Sequence, residues 1–324
     1  MKGTDMDTTT HTDTNPAPQS HEHPQVKRDE LYTSPIIAGR RVSSDPLTRL
    51  RIYLSERLTS SHAREEAAID AKLTALGHVT RCNTIATVSP KGGVGKTTTS
   101  FLVGNMLAEH LKLRAVVVDA NPDFGTLASL APDERRADAN LADLIHQLDN
   151  ITSTASLSRY MSRMPTGLHL LGAPMSAEAM QQITTAQYGR LLDFLSRYYD
   201  AVILDLGTGI TSELAQFAAH RADQLVVVTT PEWITSHTVL GALRYLESAD
   251  ATLVLNQARE ESCTDWHVID AHFRKASINR RVTLPYDEQL RTMLDTGTYT
   301  LDALTHATRM PIKQLGLAVA EQLR

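Results

Sequence analysis

The chain has 324 residues, 42% of them hydrophobic but only 5% aromatic, with a formal charge of −5 and a pI of about 6.2. The length admits one large α/β domain with an extension, and the aliphatic composition suits buried parallel strands. The charge gives no global case for a nucleic-acid or anionic-membrane binder, although a local patch remains open.

Cys82 and Cys263 stand far apart and outside any CxxC pair. This disfavours a disulfide framework, a zinc site or an iron–sulfur site, and makes a cytoplasmic, reducing setting the expectation. Met1 to Asp13 is polar, without the apolar stretch of a secretory signal. No run of about 18 apolar residues occurs.

Residues 1–44 are rich in Thr, Asp, His, Pro and Ser and lack periodicity, which predicts a disordered polar tail. His11, His21 and His23 within it are expected to be solvated rather than metal-bound. Residues 45–82 read as a helical extension. Asp45-Pro46 resembles an N-cap and first helical position, with Leu47, Leu50, Leu54 and Leu58 following at helical spacing. A second helix is expected from about Ala63 to Leu76.

From Asn83 onward apolar strands alternate with helices. Strands are expected at 84–88, 115–118, 168–171, 201–204, 225–228, 253–255 and about 281–284. Helices are expected at 97–111, 141–148, 177–198, 211–222, 236–247 and 312–323. Strands apolar on both faces and separated by helices predict an α/β fold, a doubly wound and mostly parallel sheet covered on both sides. Residues 83–324 thus form the expected main domain.

Between the first strand and its helix lies Ser89-Pro90-Lys91-Gly92-Gly93-Val94-Gly95-Lys96-Thr97-Thr98. Strand, glycine-rich loop and helix is the context in which backbone N–H groups and a helix N-terminus cradle phosphate. Lys96 is expected at the β- and γ-phosphates, the Thr97 hydroxyl at Mg²⁺, and Thr98 at the α-phosphate. Pro90 occupies the first glycine position of the general motif, and a second lysine, Lys91, opens the loop.

The run Lys91 to Thr98 resembles the deviant Walker A motif of the ParA/MinD family of ATPases. The resemblance covers roughly residues 83–323. It implies a P-loop NTPase fold, bound ATP and Mg²⁺, and an ATP-dependent homodimer in which Lys91 reaches the nucleotide of the other subunit. It also implies an activating partner protein. Asp119, in Val118-Asp119-Ala120-Asn121-Pro122-Asp123, matches the family's first aspartate and is expected near Mg²⁺. The second family aspartate, which helps to position or activate water, is replaced by Asn121. An amide cannot accept a proton as a carboxylate does, although it can orient water, so the resemblance implies an ATP hydrolase whose rate is left open; Asp123 compensates only if the loop bends differently. Asp205 ends an apolar strand resembling Walker B and is a third expected metal-side group. Asn256 and Pro285 match positions on the adenine side.

The family's known uses set the functional expectations. One is a switch that positions or partitions a cargo, either DNA or a protein assembly. Arg274, Lys275, Arg280 and Arg281 form the best local basic cluster for non-specific DNA, with Arg135 and Arg136 a second. The final helix is a poor membrane anchor, with two basic residues, a Glu and no aromatic. Relatives that need paired cysteines, a terminal tyrosine cluster or two cassettes are disfavoured. The alternative is a weakly hydrolysing accessory of a partner machine. The long extension and the Asp119–Asp123 segment are similar to ParA/MinD-like proteins found beside type VII secretion systems.

Overall fold

A computed structural model describes residues 60–76, 79–121, 125–174, 176–243, 250–259 and 266–324. The expected tail, the helix starting at Asp45 and Asp123 lie outside these residues.

Eight strands form one sheet: β1 (Asn83–Val88), β2 (Ala115–Ala120), β3 (Ser162–Arg163), β4 (His169–Leu171), β5 (Ala201–Leu206), β6 (Gln224–Thr229), β7 (Asp250–Ala258) and β8 (Arg280–Pro285). Their order is β3-β4-β2-β5-β1-β6-β7-β8. Every pairing is parallel except the β3–β4 edge. β2, β5 and β6 are buried throughout, as their unbroken apolar runs require once helices cover both faces.

The helices are α1 (Ser60–Ala75), α2 (Lys96–Glu109), α3 (Leu141–Gln147), α4 (Thr154–Leu157), α5 (Ala177–Gln181), α6 (Thr185–Leu195), α7 (Glu213–Arg221), α8 (Trp233–Leu243), α9 (Trp266–Lys275), α10 (Glu288–Thr296) and α11 (His306–Ala320). One core holds α1, α2 and α11 side chains, including Leu73, Phe101, Met106 and Leu315. The other lies against α3, α6 and α9, around Leu144, Tyr188 and Phe273.

Several boundaries differ from the sequence expectation. The single helix expected over 177–198 is two. Thr184 forms a capping box with Gln187 and starts a new helix at Thr185. α8 starts at Trp233, three residues before the expected start. The last helix starts at His306 and carries Pro311 near its beginning. As the sixth residue, Pro311 lies past the first turn and removes one i→i−4 bond, the one to the Ala307 carbonyl. Helices α9 and α10 were not expected from periodicity.

α1 precedes the strands yet packs into the main core. Ile69 and Leu73 are buried, and Glu66 is 7% exposed. Arg309 of α11 grips both Glu66 oxygens, Nε at 2.9 Å and a terminal nitrogen at 3.1 Å. Lys313 Nζ lies 2.9 Å from Glu66 and 2.7 Å from Asp70. Burial pushes the Glu66 carboxyl up, but hydrogen bonds and charge from Arg309 and Lys313 outweigh it and hold the group at about 2. Among the described residues no helix is long and apolar enough to cross a membrane.

Candidate functional site

β1 lies between β5 and β6, so the loops at its C-terminal end meet those of both neighbours. In open α/β sheets this edge is where ligands bind. Here the loop 89–95 leaves β1 and enters α2. Gly93 (φ 75°) and Gly95 (φ 91°) are left-handed, so the backbone turns back on itself. At Gly95 a side chain is excluded by space as well. An added Cβ would lie 2.0 Å from the Asn256 amide nitrogen.

Gly95 is also the N-cap of α2 and supplies no side-chain cap. By contrast, Asn140, Thr184, Ser212 and Asp287 cap α3, α6, α7 and α10 with their side chains. The first N–H groups of α2 therefore receive nothing from the residue that would ordinarily satisfy them, at the positive end of the helix dipole. This fits an anionic phosphate.

Lys96, the first residue of α2, is 9% exposed, and its amine donates to the Lys91 carbonyl at 3.2 Å. Burial lowers its pKa, against the pull of Asp205. Lys91 itself is exposed. Gly92 lies beside the loop after β5, an added Cβ coming 3.8 Å from the Thr208 methyl.

Asp119 and Asp205 are register neighbours on β2 and β5. They are 1% and 2% exposed. Burial drives the Asp119 carboxyl up to about 7, and the Asp205 charge adds to this. Backbone N–H bonds from Leu127 (3.1 Å) and Asn121 (3.2 Å) only partly offset it. Asp205 is pushed by burial to about 6, against hydrogen bonds from Thr97 and Ser100 and the charge of Lys96. The Ser100 hydroxyl donates at 3.2 Å. Two carboxylates that burial makes costly to ionise, beside a buried lysine and the Thr97 hydroxyl, suit a divalent cation with phosphate oxygens. Among the described residues no three His, Cys, Asp or Glu side chains cluster into a protein-only metal cage. Magnesium bound with substrate phosphates takes only one or two carboxylates and needs no such cage.

Not all expected residues gather at this point. Lys91, Gly92, Gly93, Val94, Gly95, Lys96, Thr97, Asp119 and Asp205 surround the β1–α2 loop. Asn121 follows Asp119 at the end of β2, half-buried. The Asn256 side chain turns onto the loop, its amide donating to the Val94 carbonyl at 2.8 Å. Pro285 ends β8, paired in register with Ala258.

Three contributors escaped the sequence reading. Ser100 follows the motif by one helical turn and meets Asp205. Gly125 lies against Asp119, an added Cβ falling 2.1 Å from the carboxylate. Gln257 donates to the Gly93 carbonyl at 3.1 Å. Of these, only Ser100, four residues beyond Lys96 on the helix, carried a positional signal.

The basic cluster is partly offset, two carboxylates standing against its four cations. Arg274 and Arg281 pair with Asp270 at 2.6 and 3.1 Å, and Arg280 faces Asp250 at 3.9 Å. It lies where β8 begins, at the sheet edge opposite the phosphate loop. Arg136 pairs with Asp133.

The family described as an AAA domain matches residues 82–257. The septum site-determining protein MinD of a Synechocystis is 31% identical over 180 residues, 55% of this chain and 65% of that protein. The ESX-1 secretion-associated protein EspI of Mycobacterium tuberculosis is 25% identical over 247 residues, 73% of this chain and 36% of that protein. The chain thus spans less than two thirds of the length of these relatives. Among solved structures, a ParA family ATPase from Chlorobium tepidum superposes with a TM-score of 0.60 at 20% identity, covering 72% of this chain and 98% of that one. MinD of Pyrococcus horikoshii, solved with Mg-ADP, gives 0.58 at 18% identity, covering 72% and 94%. The family match spans just over half of the chain, and the sheet order and loop geometry agree with it: this chain belongs to the ParA/MinD family of P-loop ATPases.

Proposed function

We propose that the chain binds Mg–ATP in the cradle 91–98, forms an ATP-dependent homodimer, and uses the change between ATP and ADP to position or partition a cargo in the cytoplasm. The observation that carries this is the buried pair Asp119 and Asp205 beside Lys96, at a helix N-terminus left without a side-chain cap. Backbone N–H groups of Gly92 to Gly95 and the hydroxyl of Thr98 hold phosphates, and Lys96 neutralises them. Thr97, Asp119 and Asp205 hold Mg²⁺ directly or through its water. The metal supplies charge neutralisation at the phosphate oxygens. Asn256 and Pro285 lie toward the base.

Lys91 reaches across to a second copy, where its charge meets phosphate that two facing subunits would otherwise bury unpaired. Trp233 and Ile234, 51% and 72% exposed, follow β6 on the same sheet edge and give that copy an apolar surface to cover. Size-exclusion chromatography tests the arrangement: Lys91→Ala is expected to stay monomeric with ATP, and unchanged dimerisation contradicts the reading.

Asp270 and Asp250 offset only half of the charge of the basic cluster, which weakens the case for non-specific DNA. Co-sedimentation with DNA across a salt series checks this, because phosphate contacts give steep salt dependence. The apolar face of α11 is spent on the core, with Met310, Ile312, Leu315 and Val319 all buried, so it is not offered to a membrane.

A second reading is a slow or non-hydrolysing ATP-binding accessory of a secretion machine, activated by a partner protein. The EspI match over 73% of the chain and Asn121 in place of a carboxylate favour it. Rapid ATP turnover stimulated by DNA contradicts this second reading.

A further inference from the structure

Consecutive side chains of an extended strand leave opposite faces of the sheet. Asn256 and Gln257 adjoin on β7, yet both carboxamides hold the same loop. Asn256 Nδ2 donates to the Val94 carbonyl at 2.8 Å, and Gln257 Nε2 to the Gly93 carbonyl at 3.1 Å. The backbone explains how. Gln257 has φ 57°, in the left-handed region, and the β7–β8 register shifts between Leu255 and Ala258. An irregularity of this kind re-aims a side chain.

A residue with a Cβ enters the left-handed region at a cost and stays there only when its surroundings demand it. Burial makes no such demand, because Gln257 is exposed. The bond to the phosphate loop is the interaction that its conformation serves.

We propose that Asn256 and Gln257 form a two-point latch on the phosphate loop, and that Gln257 is a positioning residue for phosphate binding. This rests on the nucleotide reading above and specifies how that site is shaped. Peptide planarity supplies the mechanism: a carbonyl held on one side sends the following N–H to the other. Holding the Gly93 and Val94 oxygens turns the N–H groups of Val94 and Gly95 away from the latch, and these are two of the amides assigned to phosphate. Lys96 holds a third loop carbonyl, that of Lys91, at 3.2 Å. The latch also joins the phosphate loop to the loop after β8. Tyr286 N–H donates to Ala258 at 2.9 Å, and the Arg259 guanidinium lies 4.1 Å over the Tyr286 ring. Gln257 itself contacts only the phosphate loop, so its loss should be felt first in phosphate affinity.

The test uses Gln257→Gly in the full chain, which removes the carboxamide and also relieves the left-handed backbone. Gln257→Asn is the second variant, because it tolerates the same φ with a side chain one methylene shorter. Calorimetry measures Mg–ATP and Mg–tripolyphosphate binding, and thermal unfolding without ligand reports the fold. The expected result is an unchanged or higher unfolding temperature in Gln257→Gly. Both ligands should weaken by a common factor, roughly three- to tenfold, the loss of one ordinary hydrogen bond. Unchanged affinities, or a loss confined to ATP, overturn the latch. A wild-type chain that binds neither ligand overturns the nucleotide reading itself, and the latch with it.

Discussion

Two buried groups of carboxylates in this molecule face opposite electrostatic fates. Glu66 lies between α1 and α11 with Arg309 and Lys313 in contact, and it is held at about 2. Asp119 and Asp205 lie side by side at the end of β2 and β5, and burial pushes them to about 7 and 6. Both groups are withdrawn from water, so burial alone does not separate them. One has its countercharge built in; the other lacks enough of it until a ligand brings more. A structural ion cluster is complete in the folded chain, whereas a binding site keeps a charge imbalance that its ligand removes.

The largest expected effect breaks the completed cluster. Glu66→Gln leaves Arg309 buried beside a neutral amide while Lys313 keeps Asp70, and removing one partner of a buried pair costs about 3–5 kcal/mol. Chemical denaturation should show that loss as a lower midpoint. A change under about 1 kcal/mol would mean that water already reaches the cluster.

Asp205→Asn should act in the opposite direction. Each pKa unit corresponds to about 1.4 kcal/mol. An acid raised in the folded state destabilises it progressively as pH climbs above the unfolded value near 4. Asparagine removes that penalty, so the ligand-free variant should gain on the order of 2 kcal/mol at pH 8, while stabilisation by Mg–ATP disappears. Loss of stability at pH 8 would contradict the account.

The two groups also predict separate pH windows. Ionisation of Asp119 and Asp205 should erode ligand-free stability between about pH 4 and 7. The Glu66 contribution is constant there and is lost only as pH falls from its unfolded value toward about 2. Equilibrium unfolding across pH 3–8 should therefore show a maximum, and Asp205→Asn should flatten only its alkaline side. A smaller change, about tenfold in rate or about 1.4 kcal/mol, is expected for Asn121→Asp in single-turnover hydrolysis. No increase would assign the attacking water to another residue.

The incomplete site was far more legible in sequence than the complete one. Lys91 to Thr98 is a contiguous run, and Asp205 ends an apolar strand, so local pattern alone marks both. Glu66 and Arg309 are 243 residues apart, and no local rule pairs them. The pairing of Arg274 and Arg281 with Asp270 was hidden for the same reason: a basic run announces charge but not its partners. Gln257 was invisible because its role follows from a left-handed backbone within a strand, which composition does not encode. The break at Thr184 was readable in principle, since Thr184 and Gln187 stand at capping-box spacing. The longer apolar periodicity over 177–198 masked it.

The Asp119–Asp205 pair awaits the positive charge of the Mg²⁺ that accompanies ATP. Proton release on binding tests it most directly. Calorimetry at pH 7 with preformed Mg–ATP, repeated in buffers of different ionisation enthalpy, should show net proton release by the wild-type chain, because binding ionises a carboxyl that burial holds partly protonated. Asp119→Asn should release markedly less. Equal release from both proteins, or proton uptake on binding, would contradict the account.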